Sequence, residues 1–260
     1  MRYCGIDVSA RAANQQLVTL AEQGAGGLVA TFHPPRTPEG LGRTIAGFDE
    51  VVVAVDAPSG PRLDLLRPGS ALRIARGLPD GRYERMRVCD ALLFRRGLPL
   101  YPVPPVGEEP TGWAAWIGVG FAVFAALDGL GLYRPEQADG TVVGRVGADA
   151  LRHGRLCETY PDAVFCSLLG YRPPPKRTRE GVRERIAALA ARGVSDADGG
   201  LSPRNLDELD ACAAAYAAYA LATGRGSWVG ASAEGVIVLP VGELRDRYER
   251  RPTPPEKLRG

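Results

Sequence analysis

The sequence predicts an α/β fold built on a mixed sheet, and three observations carry that expectation. Short apolar, β-branched runs bounded by Gly, Pro and Ser read as buried strands, and two of them close on an acid: Tyr3-Cys4-Gly5-Ile6-Asp7 and Val51-Val52-Val53-Ala54-Val55-Asp56. The opening order is three strands, a helix and a strand. Tight joins favour an antiparallel meander, and the helix then permits a parallel return beside the first strand. Finally, Leu206 to Thr223 is a long Ala-rich stretch, as in a helix packed tightly on a sheet.

The elements follow in order. Residues 2–8 form the first strand. Gln15–Leu20 and Gly27–Phe32 alternate as two more, joined by a Gly-rich turn. Thr37 caps a helix that runs to about Phe48, with Pro38 at its first position. Residues 51–55 are the most apolar strand, expected at the centre and covered on both faces. Pro58 to Glu109 is rich in Pro, Gly and Arg and reads as a functional or mobile insertion, taken as about 58–112. Trp113–Leu132 is a helix, Val142–Val146 a short strand, and Leu156–Glu158 another, followed by a short helix ending near Gly170. Pro173-Pro174-Pro175 is a stiff connector. Thr178 to Ala191 is helical, and Gly235–Leu239 is a late strand. One domain is expected over 1–245, with a frayed tail over 246–260.

Composition narrows the classes. The 260 residues are 45% hydrophobic and 24% charged, enough for a sizeable core. The net charge of +2 provides no global basic field, so nucleic acid would need a local patch. Such patches exist at Arg82–Arg96 and Lys176–Arg185. The apolar run Trp113–Leu127 is shorter than the roughly 20 residues of a membrane span and reads as a core helix. The five cysteines form no C-x-x-C pair, and Cys4, Cys157 and Cys212 read as buried hydrophobes. With no secretion signal or targeting segment, a cytoplasmic location and reduced thiols are expected. Oligomeric state is not legible.

An Asp that closes a buried strand is costly unless it is paired. Asp7, Asp56 and Glu158 make sense if such carboxylates meet at one sheet edge and hold a metal ion. Asp207 and Asp210 share a face of the Ala-rich helix. Asp207 and Glu208 suit the positive end of the helix dipole. Asp210, followed by small apolar residues, can reach the strand ends. Oxygen ligands of this kind suit Mg²⁺ or Mn²⁺. His33 and His153 read as surface residues, zinc has no ligand spacing, and a Ser–His–Asp hydrolase and a Lys-Ser/Thr phosphate loop find no motif.

The motifs GIDVS, VVVAVDAPSG, Arg87-Val88-Cys89-Asp90, CETYPDAVF, KRTREGVRER, LDELDACAAAYAA and EGVIVLP run in order from residue 5 to residue 240. In that order the chain resembles the domain-of-unknown-function family numbered 429, described as predicted ribonuclease H-like nucleases. The resemblance implies a ribonuclease H-like α/β fold with a mixed five-stranded sheet flanked by helices. It places Asp7 on the first strand, Asp56 at the end of the fourth, Glu158 after the fifth and Asp210 on the last core helix. It also implies Arg87, Asp90, Lys176 and Arg183 near the site as substrate contacts. Lys176-Arg177 stands where a lysine pair is expected, which leaves the functional cation open. The expected function is a metal-dependent nuclease or phosphodiesterase. Asp7, Asp56 and Asp210 would bind the metal, and Glu158 would be a fourth ligand or a base. The rivals are a non-catalytic binding or structural module on the same fold, and a phosphotransferase akin to the sugar-kinase and actin superfamily. The second lacks its phosphate loop.

Overall fold

A computed structural model describes residues 1–24, 26–132, 143–147, 151 and 154–251. His153 lies outside these residues. The opening meander forms: β1 (Arg2–Asp7), β2 (Gln15–Gln23) and β3 (Gly27–Arg36) pair antiparallel in turn. Helix α1 (Pro38–Ala46) starts where expected, because the Thr37 hydroxyl accepts from Gly40 N at 3.1 Å. β4 (Val51–Asp56) then returns parallel to β1, residue against residue, so that Asp7 stands opposite Asp56. After α2 (Ala71–Ala75), α3 (Val88–Arg95), α4 (Ala115–Asp128) and the short strand β5 (Val143–Arg145), β6 (Leu156–Glu158) pairs parallel with β4. The order β3-β2-β1-β4-β6 with β2 antiparallel is the ribonuclease H-like arrangement.

The five-stranded expectation needs correcting in extent. The described residues form a nine-stranded sheet. β7 (Val194–Ser195) extends the β3 edge, while β9 (Gly235–Leu239), β8 (Ser227–Ala231) and then β5 extend beyond β6. β7 is too short to show a period. β8 is hidden by Gly230, whose φ of 133° breaks the strand pattern. The 58–112 stretch contains α2 and α3 rather than loop alone. Within 246–251, assigned above to a frayed tail, Tyr248 is buried and its N–H donates to Arg96 O at 2.8 Å, and Glu249 O accepts from Arg172 N at 2.8 Å, while the other side chains are exposed; 252–260 lie outside the described residues.

The remaining helices are α5 (Pro161–Leu169), α6 (Arg179–Ala190) and α7 (Leu206–Ala222). Among the described residues no helix is long and apolar enough to cross a membrane. The sheet separates two hydrophobic layers. Cys4, Ile6, Val51, Val53, Val55 and Leu156 pack with residues of α1 and α4. Tyr3, Val52, Ala54 and Cys157 pack with α7. This alternation is the period of two read from the strands.

α7 lies unusually close to β1, and Gly5 is the reason. A Cβ on Gly5 would sit 2.0 Å from Ala211 O and 2.1 Å from Ala215 N. Only glycine on the strand, opposite alanines on the helix, permits that approach. Gly5 and Asp7 share a strand face, and Asp210 precedes Ala211, so the close approach brings the head of α7 towards Asp7.

Candidate active site

A cleft of about 790 Å³ opens at the carboxyl ends of β1, β4 and β6, and Asp7, Asp56, Lys176 and Asp210 line it. Asp7 and Asp56 share a hydrogen bond between their carboxyl groups. Burial is the main cause of their shifts. It pushes Asp7 up to about 8, helped by the charges of Asp210 and Asp207 and opposed by Lys176 and the Asp56 hydrogen bond. Burial likewise holds Asp56 well above the carboxylate range, with Asp7 and Asp210 adding to it. The pair therefore keeps a proton between its members near neutrality.

Asp210 is 4% exposed, and its Oδ2 accepts from Lys176 Nζ at 2.6 Å. Burial raises its pKa and the ammonium pulls it back. For Lys176 burial acts downward, but Asp210, Asp56 and Asp7 prevail and hold the ammonium above its ordinary value. The triple-proline connector sets the position of this lysine. Gly181, in the first turn of α6, lets that helix rest on the connector, since a Cβ there would lie 2.2 Å from Pro175 O. Arg185 donates to Pro174 O at 2.8 Å from the same helix.

Glu158, Arg87 and Asp90 line the cleft too, but there they pair with one another, whereas Arg183 lies elsewhere. Glu158 pairs in register with Val55, not with Asp56. Val55 and Leu156 face the α1/α4 layer, so strand alternation turns Glu158 away from the α7 face. Both of its oxygens are engaged: Arg87 Nη2 donates to Oε1 at 2.6 Å, and Arg87 Nη1 and Ser59 N donate to Oε2, each at 2.9 Å. Arg87 also forks onto Asp90 through Nε and Nη2, at 3.0 and 2.9 Å. Arg87 and Asp90 are each 1% exposed, so neither presents a free charge to the cleft. Arg183 is exposed on the far side of α6, in a shallow depression with Arg179 and Val182. Arg185, two residues on, is the arginine of that helix that lines the cleft, paired with Asp162 at 2.8 Å.

Asp162, Tyr101 and Trp116 line the cleft without having been singled out from the sequence, and Arg185 was named only as the end of a basic patch. Helical spacing could have separated Arg185 from Arg183. Nothing in the sequence marks Tyr101. Asp207, read as a helix-dipole residue, also reaches the cleft.

Among the described residues, the set of three ligand atoms all within 4.8 Å of one another is Cys89, Asp90 and Glu158. Its chemistry argues against a hard cation. The Arg87 guanidinium already supplies the positive charge there, and burial holds the Cys89 thiol well above its ordinary pKa, hence protonated. The Asp7, Asp56 and Asp210 set fits Mg²⁺ or Mn²⁺ better. It offers oxygen alone, opens to water, and carries repulsion that a divalent ion would relieve.

Residues 121–234 match the model of a family described as "Protein of unknown function (DUF429)". The resemblance read from the motifs thus holds over a stretch that carries Glu158, Lys176 and Asp210, while Asp7 and Asp56 precede it. No curated protein matches the chain. Among solved structures the chain is similar to RuvC of Thermus thermophilus, at 14% identity and a TM-score of 0.42, covering 85% of this chain and 95% of that one. A second similar structure is T. thermophilus RuvC in complex with a Holliday junction substrate, at 15% identity and a TM-score of 0.41, with the same coverage. Likeness at that level carries no argument about substrate.

Proposed function

We propose that the chain is a divalent-metal-dependent phosphodiesterase that cuts a nucleic-acid backbone. The observation that carries this reading is the Asp7–Asp56 pair, held face to face by the parallel register and joined in one cleft by Asp210 from α7. Asp7 and Asp56 would hold Mg²⁺ or Mn²⁺, with Asp210 completing the set. Such an ion, when bound, activates water and stabilises a leaving phosphate oxygen. The chain supplies the rest. Lys176 brings a half-exposed ammonium to the carboxylates, where a phosphate oxygen can replace Asp210 as its partner. Glu158 braces rather than binds: through Ser59 N and Arg87 it fixes the turn that follows Asp56.

One observation favours the rival reading of a non-catalytic binding module. The Lys176 ammonium already neutralises Asp210, as a resident cation would. The two readings separate in one assay. Purified protein is incubated in Mn²⁺ with single- and double-stranded DNA and RNA and with small phosphodiesters. The nuclease reading expects cleavage that vanishes with EDTA and with Asp56→Asn, while circular dichroism stays unchanged. Salt-dependent binding without cleavage, insensitive to Asp56→Asn, would replace it with the binding module.

A further inference from the structure

The cleft has an aromatic rim that the metal-site reading does not use. Tyr101 and Trp116 line it, and Trp113 extends the cluster outward. The Tyr101 ring lies 6.0 Å from Trp113 and 5.8 Å from Trp116, centroid to centroid. Tyr101 is 62% exposed and Trp113 61%, so two large rings stand in water beside an acidic floor. Isolated exposed apolar residues are ordinary, but a contiguous aromatic cluster at the mouth of a polar cleft is not.

The rim is built. Its loop reads Pro99-Leu100-Tyr101-Pro102-Val103-Pro104-Pro105, and each proline fixes a φ. Tyr160, the N-cap of α5, donates its hydroxyl to Pro99 O at 2.9 Å. Arg62 N donates to Pro104 O at 3.0 Å, and Val106 N donates to Arg62 O at 3.1 Å. Val103 is buried with Ala114 and Ile117, against which Trp116 packs. The rings are thus presented by a loop anchored at both ends, which lowers the entropy lost when something stacks on them.

The same cleft is lined from another part of the chain by Arg172 and Arg250, whose backbones form a parallel bridge. Neither has an ion-pair partner among the described residues. Aromatic rings with arginines beside a phosphate-cutting site match the two surfaces of one ligand class: bases that stack and a backbone that carries negative charge. A duplex hides its base faces in its own stack, whereas a single strand offers them.

We propose that Tyr101 and Trp113 form a stacking platform for unpaired bases, which makes the substrate a single-stranded polynucleotide or a single-stranded segment within a larger one. The inference rests on the nuclease reading. The experiment measures equilibrium binding of fluorescent single-stranded DNA, single-stranded RNA and the matching duplexes in EDTA, alongside Mn²⁺-dependent cleavage. Tyr101→Ala and Trp113→Ala should each weaken single-strand binding about 5- to 150-fold and leave the weaker duplex binding nearly unchanged. Tyr101→Phe, which keeps the ring, should bind single strands within about threefold of the native chain. Duplex bound as tightly as single strand, or alanine variants that bind single strands normally while the native chain still cuts polynucleotide, would overturn the platform and leave the nuclease reading standing. A native chain that neither binds nor cuts any polynucleotide would remove both. Sedimentation tests the remaining occupant. A dimer that the alanine variants dissociate, with oligonucleotide binding intact, would make the rim a self-association surface and overturn the platform.

Discussion

Two carboxylate clusters lie at the same sheet edge, and their cations differ. In one, the buried guanidinium of Arg87 forks onto Asp90 and Glu158. Glu234 closes the group by accepting from Val88 N at 2.9 Å and Leu63 N at 2.7 Å. In the other, Asp7, Asp56 and Asp210 face one half-exposed ammonium, Lys176, bonded to the last of them. Two carboxylates with one cation whose donors are spent make a joint: it ties the 58–112 insertion to β6 and the β8–β9 turn. Three carboxylates with one lysine are short of a cation, the Asp7–Asp56 pair makes up the difference with a proton, and a divalent ion would displace that proton. Position on the sheet does not separate the two clusters; saturation of donors does.

The comparison breaks most easily at Arg87. Arg87→Met leaves buried carboxylates without their cation, which costs about 3–5 kcal/mol. Urea denaturation should show that loss, together with early proteolysis within the insertion. A variant of native stability would mean that the Arg87 cluster is no joint.

Gly5→Ala should be next in size. The added Cβ has backbone on α7 as its neighbour, which cannot rotate away. Overpacking of this kind costs about 1–3 kcal/mol, and more if α7 is forced off the sheet. Because α7 carries Asp210, Mn²⁺ affinity should fall as well, measured by calorimetry. A destabilised variant with unchanged Mn²⁺ affinity would show that Asp210 does not belong to the ion's ligand set.

Why part of this could be read in advance and part could not follows from chain geometry. Asp7 and Asp56 were legible because each ends a run of buried strand residues, and their facing positions follow from one parallel register. Glu158 lines the same cleft, but its pairing with Arg87 could not be read in advance, because its strand has three residues, too few for the sequence to say which face they present. Arg87 reads as one more arginine in a basic, loop-rich stretch, and its burial depends on partners 71 and 147 residues away in sequence. The outer strands β7 and β8 are set by the sheet edges they join, not by their own pattern. Tyr101 became a rim residue only because distant Tyr160 and Arg62 anchor its loop.

Protonation of the Asp7–Asp56 pair comes next in size. The Asp7 pKa is raised in the folded chain, to about 8 from an unfolded value near 4, so the folded state binds the extra proton in that window. Its stabilising effect is complete below about pH 4 and is lost as pH rises through about 8. Without metal, unfolding free energy should therefore fall across that range, on the order of 1–2 kcal/mol after allowance for partial exposure. Asp7→Asn should flatten the slope and match or exceed the native chain near pH 8. Saturating Mn²⁺ should reverse the slope in the native chain, because the ion favours the deprotonated pair. An unchanged slope in Asp7→Asn would place the titration elsewhere.

The smallest expected effect on stability is at Lys176, and it separates the two clusters most sharply. Its side chain is 49% exposed, so Lys176→Met should change stability by about 0–1 kcal/mol, against several for Arg87→Met. Binding should respond in opposite directions. Removing the ammonium frees Asp210, so Mn²⁺ affinity should stay equal or rise. Polynucleotide affinity should fall, because a phosphate partner is lost. The slope of log affinity against log salt, about 2–4 for the small basic surface, should drop by about 0.7–0.9, one phosphate contact. If Mn²⁺ affinity instead falls with the lysine gone, Lys176 organises the carboxylates rather than standing in for a cation. If the salt slope does not move, Lys176 touches no phosphate. With both the stability and the slope unchanged, the lysine would only keep Asp210 charged, and the substrate contact would have to come from Arg172 and Arg250.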